Sequence, residues 1–191
     1  AIQVCHYGVR RVHLVNRQTD GALLQELFTR DGVGTLISSD EYEGTRPATI
    51  EDVSGILELI KPLEQQGILV RRSRERLETE IGKFTVIERD GMVVGCAGLY
   101  TFEESGAAEL ACLAIHPDYR QQGRGDALLS YIENQVRQQN IERLFVLSTQ
   151  TSHWFRERGY ETATIDALPV QKQMLYNYQR NSKVFVKALK S

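Results

Sequence analysis

From Glu109 to Ile115 the chain reads Glu-Leu-Ala-Cys-Leu-Ala-Ile. A strand with one wet face alternates apolar and polar residues, so a near-continuous apolar run predicts a central strand covered on both faces. The adjoining residues narrow the choice further. The stretch Ile115 to Leu129, "IHPDYRQQGRGDALL", passes through a glycine-containing turn into a helix carrying Leu128, Leu129, Ile132 and Val136 on one face. A turn delivered into a helix N-terminus leaves several backbone N–H groups outside the helical ladder, and the helix dipole favours negative charge there. Gly123 and Gly125 lack a Cβ and let backbone approach a ligand closely. Arg120 and Arg124 add positive charge. The stretch therefore predicts an anion site that suits a pyrophosphate.

The pattern around this strand is regular from Arg46 onward. Arg46 to Ala48 reads as a short edge strand. Thr49-x-x-Asp52 is a capping box ahead of Val53, Ile56, Leu57 and Ile60, one helix face. Ser73 caps a second helix carrying Leu77 and Ile81. Phe84–Glu88 and Met92–Phe102 flank Arg89-Asp90-Gly91, a hairpin turn. Arg143–Thr149 is a second covered strand, Ser152–Arg158 a short helix closed by Gly159, and Lys183–Lys187 an alternating strand. The first forty residues differ: strand Val9–Val15, a helix with Leu23, Leu24, Leu27 and Phe28, and strand Gly34–Ser38. That piece is too small to bury a core of its own. Ser38–Thr45 is polar and acidic and reads as a linker. The expected domains are residues 1–44 and 45–191.

Bulk properties exclude several classes. In 191 residues the formal net charge is −2, which gives no general attraction to nucleic acid or anionic membrane. No apolar run approaches the roughly 20 residues of a membrane span, and no signal-peptide pattern opens the chain. Cys5, Cys96 and Cys112 are an odd, widely spaced set, which predicts reduced thiols and a cytoplasmic location. No Cys or His pair has zinc-ligand spacing, so no metal is expected.

Three known loop designs bind a pyrophosphate this way. A Walker loop needs Gly-Lys-Ser/Thr, which is absent. A dinucleotide loop needs three glycines in a parallel strand–helix–strand unit, whereas the strands ahead of this loop read as antiparallel. The third is the coenzyme A loop of the GNAT acetyltransferases, Arg/Gln-x-x-Gly-x-Gly/Ala, which Arg120-Gln121-Gln122-Gly123-Arg124-Gly125 resembles in full. The order of elements over residues 46–191 is similar to that family too. The resemblance implies a mixed α/β (α+β) GNAT acyl-CoA N-acyltransferase fold, with a mostly antiparallel central sheet flanked by helices, and acetyl-CoA as co-substrate. It implies that pantetheine runs beside Cys112, Leu113, Ala114 and Ile115. The pyrophosphate would sit on Gln121, Gln122, Gly123, Arg124, Gly125 and Asp126. A nucleophilic amine would then attack the thioester directly. Glu109, the lone acid of its strand, is the candidate general base. The family's usual helix tyrosine falls at Phe155, which has no proton to give, so Ser148 becomes the candidate acid.

Longer stretches resemble the bacterial N-acetylglutamate synthase family: "RPATIEDVSGILELIKPLEQQGILVRRSRE", "ELACLAIHPDYR", "HWFRERGY" and "LYNYQRNSKV". Residues 8–38 resemble the end of the amino-acid-kinase domain that precedes the acetyltransferase domain in that family and binds arginine. This resemblance implies acetyl transfer to the α-amino group of L-glutamate, the first step of arginine biosynthesis. It implies that Arg72 and Arg180 with Ser182 hold the substrate carboxylates, and that backbone near Val70 and Cys112 meets its polar groups. Arginine fits that task because it binds carboxylates bidentately and keeps its charge. The chain is expected to be a fragment of a longer protein and to lack arginine regulation, which belongs to the full-length enzyme. Open strand edges in the first forty residues permit a homo-oligomer. Two rival readings are a GNAT enzyme for another anionic amine or a protein N-terminus, and a coenzyme A-binding module without turnover.

Overall fold

The computed structural model describes residues 1–29, 31–39 and 42–189. The chain divides into two compact units, Ala1–Gly44 and Thr45–Ser191. In the first, α1 (Ile2–His6) precedes a two-stranded antiparallel sheet of β1 (Arg11–Leu14) and β2 (Thr35–Ser38), with α2 (Ala22–Phe28) between them. The helix α1 has no counterpart in the sequence reading. Glu26 of α2 ties the unit together: its carboxylate accepts from the N–H of Val33 (2.8 Å) and Gly34 (2.7 Å) and pairs with His13. The apolar residues Leu23, Leu24, Leu27 and Phe28 of α2 are all exposed.

The second unit is built on a seven-stranded sheet in the order β3-β4-β5-β6-β7-β9-β8. Its strands are β3 (Glu43–Pro47), β4 (Phe84–Arg89), β5 (Met92–Phe102), β6 (Ala107–Ile115), β7 (Arg143–Ser148), β8 (Glu161–Ala163) and β9 (Lys183–Ala188). The edge strand starts at Glu43, inside the stretch read as linker. An edge strand pairs through backbone and needs no apolar repeat to announce it. Asp40 and Glu41 of that stretch lie outside the described residues. The hairpin turn is Asp90-Gly91, both at positive φ (46° and 76°), which matches the right-handed twist of the strands it joins.

Helices cover both faces. On one, α3 (Val53–Gln65) and α4 (Arg74–Glu80) bury Val53, Ile56, Ile60 and Leu77 against Phe84 and Val86. The start of this layer is fixed chemically: Thr49 and Asp52 form the capping box, and Asp52 also takes both Arg46 terminal nitrogens at 2.8 Å. On the other face, α5 (Arg124–Gln138) and α6 (Ser152–Glu157) set Leu128, Leu129, Ile132, Val136 and Phe155 against Leu110, Leu144 and Phe185. A further short helix, α7 (Val170–Met174), and strand β8 have no counterpart in the sequence reading.

Pairs β4–β5, β5–β6, β7–β9 and β8–β9 are antiparallel, whereas β6 and β7 are parallel. That corrects one step of the sequence argument. The lead-in to the loop is antiparallel, but the strand after the helix closes a parallel β6–α5–β7 unit, so strand direction does not separate this loop from a dinucleotide loop. The separating feature is a splay. β6 and β7 pair only from Ala107↔Arg143 to Leu110↔Val146, while β6 stays paired to β5 as far as Ile115. The cause is a bulge. Between Ala111 and Ala114, β6 advances one residue more than β5 does, and Cys112 sits at φ 55°. A bulge bends its strand, and here the strand turns away from β7.

Candidate active site

The splay opens a cavity of about 1200 Å³. Cys112 to Ile115 form one wall, Leu147 and Ser148 the opposing strand end, and Arg72 and Arg180 line it as well. The N-terminus of α5 closes one end. Gln121 (φ 66°) and Gly123 (φ 75°) both adopt left-handed backbone there. The first bond into the α5 ladder runs from Ala127 N–H to Gly123 O (2.9 Å), so the N–H groups just before Ala127 lie outside the ladder. A Cβ on Gly125 would stand 3.3 Å from Trp154 Cζ2, so that glycine sets how closely α6 approaches the loop.

The loop's charges differ from expectation. Arg124 is buried; its guanidinium donates to Tyr119 O and Gln122 Oε1 and lies over the Tyr119 ring. Only its backbone is left for an anion. Neither Arg124 nor Gln122 lines the cavity, whereas Gln121, Gly123, Gly125 and Asp126 do. Asp126 pairs with Arg158, which holds its carboxyl below the usual carboxylate range. Arg158 in turn lies over the Trp154 ring at 3.9 Å. The sequence reading missed Arg158 and Trp154, which lie within "HWFRERGY". Arg120 is exposed and donates through Nε to Ile115 O (3.2 Å).

At the other end, Arg72 and Arg180 converge on the α3–α4 connection. Arg72 reaches Val70 O (3.4 Å), and Arg180 donates to Ile68 O (2.5 Å). The Nε of each is buried without a hydrogen-bond partner. Such a group costs free energy unless something accepts its proton, and both guanidiniums belong to residues that line the cavity. Arg72 is steered by the Glu64 carboxylate, which accepts from its N–H (2.9 Å), and lies over the Phe84 ring. Ser182 is buried and also lines the cavity; its carbonyl accepts from the Tyr176 hydroxyl.

Glu109 lies where β6 and β7 still pair, one residue before the splay, and lines the cavity. It is 7% exposed and pairs with Lys172 of α7. Its cross-strand neighbour on β5 is Tyr100, whose phenol is pushed up to about 12 by burial and by its hydrogen bond to Glu80. Ser148 Oγ is 2.7 Å from Thr151 Oγ1 and accepts from Thr151 N–H (3.2 Å), so it ties the turn that leads into α6. Phe155 is packed edge-on to Trp154 and Tyr160 in the core. Cys112 is buried and its carbonyl accepts from Cys96 Sγ. Among the described residues no group of three His, Cys, Asp or Glu is placed to hold a metal ion, and no helix is long and apolar enough to cross a membrane.

A splayed parallel pair, a glycine turn on a helix N-terminus and a mostly antiparallel sheet are the GNAT fold, and residues 80–162 match the GNAT acetyltransferase domain. The chain therefore has the GNAT fold. Its sequence similarity is to amino-acid acetyltransferases: those of Serratia proteamaculans and Yersinia enterocolitica are each 59% identical over 186 residues, 97% of this chain and 42% of the relative. Among solved structures it resembles the N-acetylglutamate synthase of Neisseria gonorrhoeae complexed with coenzyme A and L-arginine. That match has a TM-score of 0.88 and 44% identity, over 99% of this chain and 43% of the other. The same enzyme complexed with coenzyme A and N-acetyl-glutamate gives a TM-score of 0.76 at 46% identity, over 97% and 44% of the two chains. The chain thus spans about two-fifths of the length of these relatives.

Proposed function

We propose that the chain transfers the acetyl group of acetyl-CoA to the α-amino group of L-glutamate, giving N-acetyl-L-glutamate and coenzyme A. The observation that carries this reading is the pair of arginines, Arg72 and Arg180, which line one cavity. A dicarboxylate amino acid supplies two carboxylates for two guanidiniums, and a neutral or cationic amine does not. The binding of coenzyme A with N-acetyl-glutamate by the Neisseria enzyme supports the same assignment.

In this reading the pyrophosphate rests on the loop Gln121–Asp126. The pantetheine lies along Cys112–Ile115, whose β7-facing edge has lost its strand partner. Arg72, Arg180 and Ser182 hold the carboxylates, and backbone at Val70 and Cys112 meets the remaining polar groups. Even a peptide α-amino group, with a reference pKa of about 7.7–8.0, is mostly protonated at neutral pH, and the amine of a free amino acid is more basic still. Glu109 takes its proton, and the freed lone pair attacks the thioester carbonyl. Collapse of the tetrahedral intermediate breaks the C–S bond, Ser148 supplies the proton that the leaving thiolate needs, and the second proton lost from the substrate nitrogen replaces it. Residues 1–44 are read as the end of an amino-acid-kinase-like domain.

The test is direct. Purified chain is incubated with acetyl-CoA and L-glutamate, L-aspartate or L-glutamine, thiol release is followed, and the product mass is read. The expected order is glutamate first, with Glu109→Gln losing turnover while still binding coenzyme A. Equal rates with glutamine would refute the arginine-pair reading.

A further inference from the structure

Lys172, on α7, places its Nζ 2.7 Å from Glu109 Oε2. The side chains are 23% and 9% exposed respectively, so this is a largely buried ion pair on the cavity wall. Neighbouring elements offer Glu109 little else. Across β5, Tyr100 gives its hydroxyl proton to Glu80 (2.6 Å), and across β7 the register partner is Phe145. Removing the cation beside a carboxylate this buried leaves an uncompensated charge, which is strongly unfavourable. Yet an amino-acid substrate arrives as an ammonium and needs the same carboxylate. Two cations therefore have one anion to share.

We propose that Lys172 is a positioning residue for Glu109: it holds the carboxylate at the splay until the substrate ammonium takes its place. The proposal rests on the reading of Glu109 as the proton acceptor. The substrate ammonium loses two protons on becoming an amide. The first passes to Glu109 before attack, the second leaves the nitrogen of the tetrahedral intermediate and replaces the one that Ser148 gives the thiolate, and neither involves Lys172. The exchange asks only one side chain to swing, because α7 is five residues long and its Val170 and Met174 are exposed rather than packed.

Two consequences distinguish positioning from mere packing. Without Lys172 the carboxylate loses its fixed location, so kcat falls; an ångström of misplacement costs on the order of 100-fold. At the same time the substrate ammonium loses its competitor, so KM for the amine does not rise. The experiment measures kcat and KM for L-glutamate at saturating acetyl-CoA in Lys172→Met, Lys172→Gln and Lys172→Arg, with melting curves for each. Expected for Met and Gln are a kcat lower by about tenfold or more and a KM equal to or below that of the parent. Arg should return kcat to within a few fold. A kcat within about twofold of the parent in both neutral variants, a fall accompanied by a raised KM, or no recovery with Arg overturns the proposal. Glu109→Gln separates the two readings. If it keeps parental kcat, the base assignment fails. If it is inactive while Lys172→Met is unimpaired, only the Lys172 proposal fails. A parent chain without turnover overturns both.

Discussion

Gly123 is the sharpest test of the loop, because its role is conformational and not steric. Its backbone sits at φ 75°, ψ 0°, and a Cβ built on it meets nothing within 4 Å. Alanine therefore fits in space but not in backbone energy: a left-handed L-residue costs about 1–2 kcal/mol. That strain has two places to appear. If the loop keeps its shape in the free protein, Gly123→Ala lowers stability by the full amount and leaves coenzyme A affinity unchanged. If the free loop relaxes, stability holds and affinity falls about 5- to 30-fold, the same energy read as a dissociation constant. Either way the sum of the two losses is about 1–2 kcal/mol. Calorimetric titration with coenzyme A and urea unfolding of the same samples give both terms. Gly123→Asn should lose less in total, since asparagine visits this region more readily. A sum near zero for alanine, or asparagine faring as badly as alanine, would refute the argument.

The remaining predictions concern the substrate end, the acid and the fold. Arg72→Met and Arg180→Met should each cut kcat/KM for L-glutamate by roughly 10- to 150-fold, the value of a hydrogen bond to a charged group (about 1.5–3 kcal/mol), as read by initial rates; an unchanged value would remove that arginine from the site. Ser148→Ala should lower kcat about 100-fold or more with little change in KM; an unmoved kcat removes Ser148 from the chemistry. Asp52→Asn should lower stability at pH 7 by about 1–2 kcal/mol, since Arg46 loses one of its two carboxylate partners and keeps only Glu88. Its hydrogen bonds to Arg46 hold the Asp52 carboxyl below its ordinary value of 3.8. A depressed pKa contributes stability that is present above the unfolded value and lost as pH falls through the folded one. The gap between parent and variant should therefore shrink below about pH 4 in urea titrations, and a gap that persists at pH 2 would contradict the assignment.

What could be read from the residues was whatever is encoded locally. The apolar run Glu109–Ile115, the Thr49–Asp52 capping box, the helix face Leu128–Val136 and the Asp90-Gly91 turn all appear as read, because each is a property of one short window. The short helix α7 and the three-residue strand β8 carry no periodicity long enough to register. The bulge at Cys112 has no signature, since nothing marks a cysteine for positive φ; without it the splay between β6 and β7 could not be foreseen. Arg124 shows the limit for charges. Its place in the motif gave a cation at the loop, and only packing against Tyr119 reveals that the guanidinium turns inward. The Glu109–Lys172 pair is likewise a tertiary fact, joining a central strand to a remote short helix.

The central claim is that one cavity seats a dicarboxylate amino acid beside the thioester. Its most direct test is the ratio of kcat/KM for L-glutamate over L-glutamine in the purified chain at saturating acetyl-CoA. Glutamine keeps the amine and the α-carboxylate and loses only the second negative charge, leaving one buried guanidinium without its anion. The account predicts a ratio of at least about tenfold in favour of glutamate, collapsing toward unity in one of the two arginine variants. A parent ratio near one, or a preference for glutamine, would contradict it.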